Sequence, residues 1–348
     1  MHRAARVSQG MTLVELMVGM AVGLFVCVVA VSVFVSTRTL QSVSSAGTRM
    51  GENGRLAMDL LTGDLRSAGF QGCKPLLSGA VISTLNPSGG AFLDGGSSGL
   101  GGFAATASGF APPLSAALAG LVPAPASNSD VLSVRVPVDS ASVDLTAPMA
   151  STTAALQVGD AAATPKFKPG DIALVANCRA AVLFQVTDAS PGVLGHAAGG
   201  SFAPGNAGTD LTQKFRSDAS VFRLRTHHYY VAPSVQRPGT NSLWRFAFPA
   251  EPGSASPAEV AAGVDRLVLS FGVDTDGDQN VNKYVAADAV GAWDQVVAAR
   301  VQLLTATTQD GMAQHAQTVA FAGSGVDAAD RRLRMALTDV VTLRNRAP

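Results

Sequence analysis

The stretch from Met11 to Val35 reads MTLVELMVGMAVGLFVCVVAVSVFV; twenty of its 25 residues are apolar, and Glu15 is its only charge. As a helix it is about 37 Å long, enough to cross a hydrocarbon layer of ~30 Å with some tilt. Arg3 and Arg6 precede it without an acid, which keeps the N-terminal end in the cytoplasm and places everything after Val35 outside. A secretory signal would have a shorter apolar core, ending in a small-residue cleavage site. A plain signal anchor fits the hydropathy but gives no reason for Glu15, because an ionisable group inside a span is a functional-site hypothesis by default. The alternative is a carboxylate one turn inside the membrane edge that reaches back to the headgroups. Gly19 and Gly23 form a G-x-x-x-G step, which permits close helix contact in lipid but arises readily by chance in a Gly-rich chain. Cys27, within the span, reads as an inert small hydrophobe.

Gly10-Met11-Thr12-Leu13-Val14-Glu15-Leu16 resembles the processing motif of type IV prepilins, a Gly followed by a bulky apolar residue and then T-L-x-E. The resemblance implies that a prepilin peptidase cleaves between Gly10 and Met11 and methylates the new amino terminus of Met11. Phe is the usual residue there, so Met11 is a mild departure. Residues 1–10 would then be a leader. Its removal takes away Arg3 and Arg6 and leaves 23 basic against 25 acidic side chains. The resemblance also implies that Glu15 helps a subunit dock into the growing filament. The physical reason is that a carboxylate in lipid becomes tolerable when it meets a cation, such as a neighbour's terminal amine.

Beyond the span, Leu40, Val43, Met50, Leu56, Leu60, Leu61 and Leu65 recur at roughly helical spacing with charged residues between them, which predicts an amphipathic continuation over 36–69. The expected element is one helix of some 58 residues, with Gly47, Gly51, Gly54 and Gly63 marking bends or local melting. Its end, ENGRLAMDLLTGDLRSAGFQGC from Glu52 to Cys73, resembles the corresponding segment of the PilW group of minor pilins. Residues 70–348 are then the head. Residues 86–129 are rich in Gly, Ala, Ser and Pro with one charge, Asp94, and read as a flexible insertion or long loop, part of it packed on the head through Phe92, Phe103 and Leu118. Strand-like runs follow at Val131–Val138, Asp171–Ala176, Val182–Thr187, Ser220–Val231, Leu243–Phe248, Leu267–Val273, Val297–Thr305 and Leu333–Leu343. The expected fold class is α+β, a long N-terminal helix packed on a mainly antiparallel sheet, which resembles the pilin fold.

Cys73 and Cys178 are the two cysteines outside the span. The expected compartment is oxidising, and they match cysteines of the PilW group, which implies a bridge between them. Such a bridge would add ~4–5 kcal/mol in the chain-entropy model; two unpaired thiols are the other reading. Asp274, Asp276, Asp278, Asn280 and Asn282 alternate like the early ligands of a calcium loop. Gly277 in the fourth place and Val285 in the twelfth depart from that pattern, and a polar hairpin turn explains the same residues. PilW-like chains carry an Asp-rich turn here, followed by a segment like that from Trp293 to Leu304. His227, His228, Tyr229 and Tyr230 are consecutive; on a strand they face alternately and suit a sheet better than a shared metal.

Twenty-five Lys and Arg balance 25 Asp and Glu, so charge gives no argument for nucleic acid. No recognisable nucleophile, zinc or phosphate-loop motif is present in the sequence, and the reading is of a protein without catalytic activity or required cofactor. The resemblance implies a minor pilin in the inner membrane with a periplasmic head, entering the pilus on assembly. Its partners would be the prepilin peptidase and other minor and major pilins. The alternatives are a minor pseudopilin of type II secretion and a membrane-anchored calcium-binding or adhesive module.

Overall fold

The computed structural model describes residues 11–72, 81–87, 90–96, 98–159, 166–250 and 256–346. Helix α1 runs unbroken over Leu13–Ser67, 55 residues against the 58 expected. It begins in a capping box: Thr12 Oγ1 accepts from the Glu15 N–H, and the Glu15 carboxylate accepts from the Thr12 N–H. Side chains from Leu13 to Val35 lie exposed, as an apolar segment does when nothing in its own chain covers it. Further on, Ala57, Leu61 and Leu65 are fully buried, so the two halves of one helix face different surroundings.

The helix does not melt at its glycines. Gly47, Gly51 and Gly63 sit in open space, whereas a Cβ on Gly54 would stand 2.6 Å from Leu337 Cδ1. Gly54 therefore lets the helix approach the sheet closely, at a modest cost in helix propensity.

Among the described residues two larger, mainly antiparallel sheets form the body of the head, with smaller sheets of three and two strands beside them. The strands used below are β1 (Leu100–Thr106), β2 (Val131–Asp144), β3 (Ile172–Ala176), β4 (Ala181–Gln185), β5 (Ser220–Pro233), β6 (Asn241–Phe248), β7 (Ala258–Ala262), β8 (Val264–Val273), β9 (Lys283–Val285), β10 (Val296–Ala306) and β11 (Arg334–Thr342). Among the described residues the larger sheet has nine strands. Its axis is β5, whose first half pairs with β3 and whose second half pairs with β6, while β2 lies along its other edge. The second sheet has the order β9-β8-β10-β11, and α1 packs chiefly on β10 and β11. A shared core takes Leu61 and Leu65 from the helix, Leu132 and Val134 from β2, Tyr229 and Val231 from β5, and Leu267, Leu269, Val301 and Leu303 from the second sheet. Asp130 ties the sheets together, one carboxylate oxygen accepting from the Ala105 N–H at 2.8 Å and the other from the Leu269 N–H at 2.7 Å.

Residues 86–129 are more ordered than their composition suggests. They contribute a short helical turn at Gly90–Gly95, strand β1 within the main sheet, a second strand at Gly109–Ala111 and a helical turn at Ala116–Ala119. Phe92, Leu100 and Leu118 are fully buried. The organiser is Arg135 on β2, which donates to the carbonyls of Phe92 and Gly96 and lies 4.5 Å over the Phe92 ring. Its burial lowers the guanidinium pKa to about 10.

Asp94 is half-buried in this segment and accepts from the Ser115 hydroxyl at 2.7 Å. Burial raises its pKa to about 6, against a smaller opposing effect of that hydrogen bond. A carboxyl raised on folding stabilises the fold below its unfolded pKa near 4, and that contribution is lost as pH rises through about 6. Asp94→Asn is therefore expected to raise stability by about 1–2 kcal/mol at pH 7.5 after allowance for solvent screening, and to change it little at pH 4. Thermal melts at the two pH values check this; an equal shift at both would refute it.

Candidate functional site

The described residues that bear on function lie in three places: the start of α1, its buried end, and an acidic turn in the second sheet. At the start, the Thr12 N–H and hydroxyl both donate to Glu15 Oε2, at 3.0 and 2.9 Å. Glu15 is thus held against the helix start, beside Met11. Gly10 lies outside the described residues, so the cleavage site itself is a matter of sequence. No Cβ contact within 4 Å exists for Gly19 or Gly23, which leaves that helix face open.

At the buried end, Asp64 faces β5. His227 Nδ1 lies 2.6 Å from Asp64 Oδ2, and the Tyr229 hydroxyl donates to the same oxygen at 2.7 Å. Burial, reinforced by the Asp64 charge, pushes the Tyr229 pKa well up, so the phenol remains protonated and donates. His228 points to the opposite face, with Nδ1 2.7 Å from the Ser133 hydroxyl and its ring stacked on Phe246. The alternation expected of the His-His-Tyr-Tyr run is present, and the histidines do not share a site. Asp64 was not singled out in the sequence as their partner; the only signal was an acid on the inner half of a helix and a polar pair two residues apart on a strand.

The acidic turn joins β8 to β9. Asp274, Asp276 and Asp278 bring one carboxylate oxygen each within 4.8 Å of the others, and these are the residues that would hold a cation. The same carboxylates cap their own turn: Asp274 accepts from the N–H groups of Asp276, Gly277 and Gln279, and Asp278 from that of Asn280. At Asp274 burial pushes the pKa up, but the Gln279 and Gly277 N–H groups outweigh it and the net shift is down. Asn280 donates to Asp278 through its side chain, and Asn282 accepts from Thr275, so the alternating residues form a hairpin turn between strands, without flanking helices.

Cys27 is free and exposed. Cys178, in the turn after β3, is not without a partner; Cys73 lies outside the described residues.

The second sheet and the half of β5 that meets α1 are also where the chain is similar to known proteins. Residues 228–345 match the family model described as Type IV Pilus-assembly protein W. Over this segment, about a third of the chain, it is similar to the PilW family. No curated protein and no solved structure matches the chain. The PilW segment begins at His228 within β5 and runs through β6 to β11, including the acidic turn and the stretch from Trp293 to Leu304. It therefore supplies most of the surface on which the inner half of α1 rests. Glu52 to Cys73 and the N-terminal motif lie outside it. The family is one of pilus assembly, a structural task, and the arrangement of a long exposed apolar helix on a β-rich head suits it.

Proposed function

We propose that the chain is a minor pilin of the PilW type, cleaved by a prepilin peptidase between Gly10 and Met11, methylated at Met11 and inserted into type IV pili beside other minor and major pilins. In this reading residues 11–35 hold the subunit in the inner membrane with the head in the periplasm. Residues 36–69 carry the head, Glu15 guides docking, and a Cys73–Cys178 bridge ties the helix end to the turn after β3. The observation that carries the reading is one continuous helix whose first half is apolar and uncovered and whose second half is seated on a PilW-family sheet. A helix of that kind can sit in lipid and then, without refolding, pack among like helices.

Gly10→Val tests it. The variant is expected to accumulate as a full-length, unmethylated precursor with few surface pili. Intact mass of the wild-type protein is expected to show loss of residues 1–10, one added methyl group and a disulfide. An unchanged mature N-terminus in Gly10→Val overturns the processing claim.

A further inference from the structure

Just past the end of α1, two glycines fix the path of the chain. Gly69 and Gly72 both have positive φ, 76° and 69°, a conformation that residues with a Cβ rarely adopt. Each is also closely backed: a Cβ on Gly69 would stand 2.8 Å from Arg346 Nε, and one on Gly72 2.8 Å from the Ala176 Cβ on β3. Gln71 lies between them and is held there, only 6% exposed. Its Oε1 is buried and meets no donor among the described residues.

Gln71 lines a cavity of about 10 Å³ between the helix exit and the main sheet, whose walls include Val81, Leu174 on β3, Leu183 on β4, Leu224 on β5 and Arg135 on β2. Arg135 is gripped at both ends. Its guanidinium donates to the carbonyls of Phe92 and Gly96 and lies over the Phe92 ring, while its Cβ is 3.2 Å from where a Cβ on Gly99 would stand. The Nε–H is buried and meets no acceptor among the described residues. The cavity thus has one donor and one acceptor to satisfy, among mainly apolar walls. Buried polar groups in folded proteins are nearly always hydrogen-bonded, to protein or to ordered water. What fits here must accept from Arg135 and donate to Gln71. A halide would answer the guanidinium but be repelled by Gln71 Oε1. An organic molecule is too large, since about 10 Å³ is the room that one water needs. Water meets both conditions, and internal waters characteristically bridge such groups.

We propose that this cavity binds one water molecule, which accepts from the Arg135 Nε–H and donates to Gln71 Oε1, so that the exit of α1 is joined to β2 through it. Arg135 then gathers two parts of the head, the 86–129 segment by direct bonds and the helix end by solvent. A crystal structure of the full chain in detergent, from crystals grown with sodium bromide, tests this. The expected result is a density peak about 2.7–3.2 Å from both Arg135 Nε and Gln71 Oε1, without anomalous signal at the bromine edge. An anomalous peak there would assign the site to an anion and overturn the proposal. An empty cavity, or a direct bond between Gln71 and Arg135, overturns it as well. In Gln71→Leu, which removes the acceptor, the peak is expected to be lost; a peak unchanged in position and height would show that Gln71 does not hold the water. If that variant does not fold, the wild-type map decides alone.

Discussion

Asp64→Ala is expected to lower the stability of the folded head by about 2–4 kcal/mol, because it removes an acceptor that two buried groups share. The His227 ring nitrogen and the Tyr229 hydroxyl both use Asp64 Oδ2, and neither side chain is open to water: Tyr229 is fully buried and His227 nearly so. A partner deleted from a buried polar group costs that group's desolvation, whereas deleting both sides costs far less. Tyr229→Phe alone is therefore expected to cost about 1 kcal/mol, and the double variant less than the sum. Asp64→Asn, which keeps an acceptor, should recover part of the loss. Denaturant unfolding of the four variants measures the coupling. Additive losses, or a change under about 0.5 kcal/mol for Asp64→Ala, would show that the contact is incidental to the seating of the helix.

That contact also shows where sequence reading stops. The eight expected strand runs all fall on strands of the structure, because alternation of Val, Leu and Phe with polar residues encodes a face directly. The long helix was equally legible, its apolar half by hydropathy and its amphipathic half by spacing. The pairing of Asp64 with His227 and Tyr229 was not, since it depends on how a helix is rotated and shifted against a strand 163 residues later. The order within 86–129 was hidden for a similar reason. Its apolar residues lie scattered among Gly, Ala, Ser and Pro, and its carbonyls are gathered by Arg135, which lies outside it and looks in the sequence like an ordinary polar position on an alternating strand. In the acidic turn, spacing alone could not separate a ligand set from a self-capping hairpin; the backbone N–H groups that fill Asp274 belong to the second reading.

If the chain is the minor pilin proposed above, Glu15→Gln is expected to cut surface pili about tenfold or more while leaving the protein processed, folded and in the membrane, since each tenfold reflects the loss of a modest ion-pair contribution in lipid. The structure makes Gln an informative choice. The Glu15 carboxylate accepts from the Thr12 N–H and hydroxyl at the helix start, and in the proposed reading its charge also meets a cation on a neighbouring subunit. A Gln side-chain carbonyl keeps the first role and loses the second. Thr12→Val does the reverse, since it removes the hydroxyl that accepts the Glu15 N–H and leaves the carboxylate. If the carboxylate serves docking, Thr12→Val should keep pili within about twofold of wild type, because an isolated cap is worth only about 1 kcal/mol and a helix of 55 residues does not depend on its first turn. Intact mass establishes that both variants are cleaved before pili are counted. Abundant pili in Glu15→Gln, together with a deficit in Thr12→Val, would assign the residue to helix capping and remove the argument from charge. A deficit confined to Glu15→Gln isolates the charge, because the head meets the helix at Ser42, about 40 Å along it from residue 15, too far to report the change.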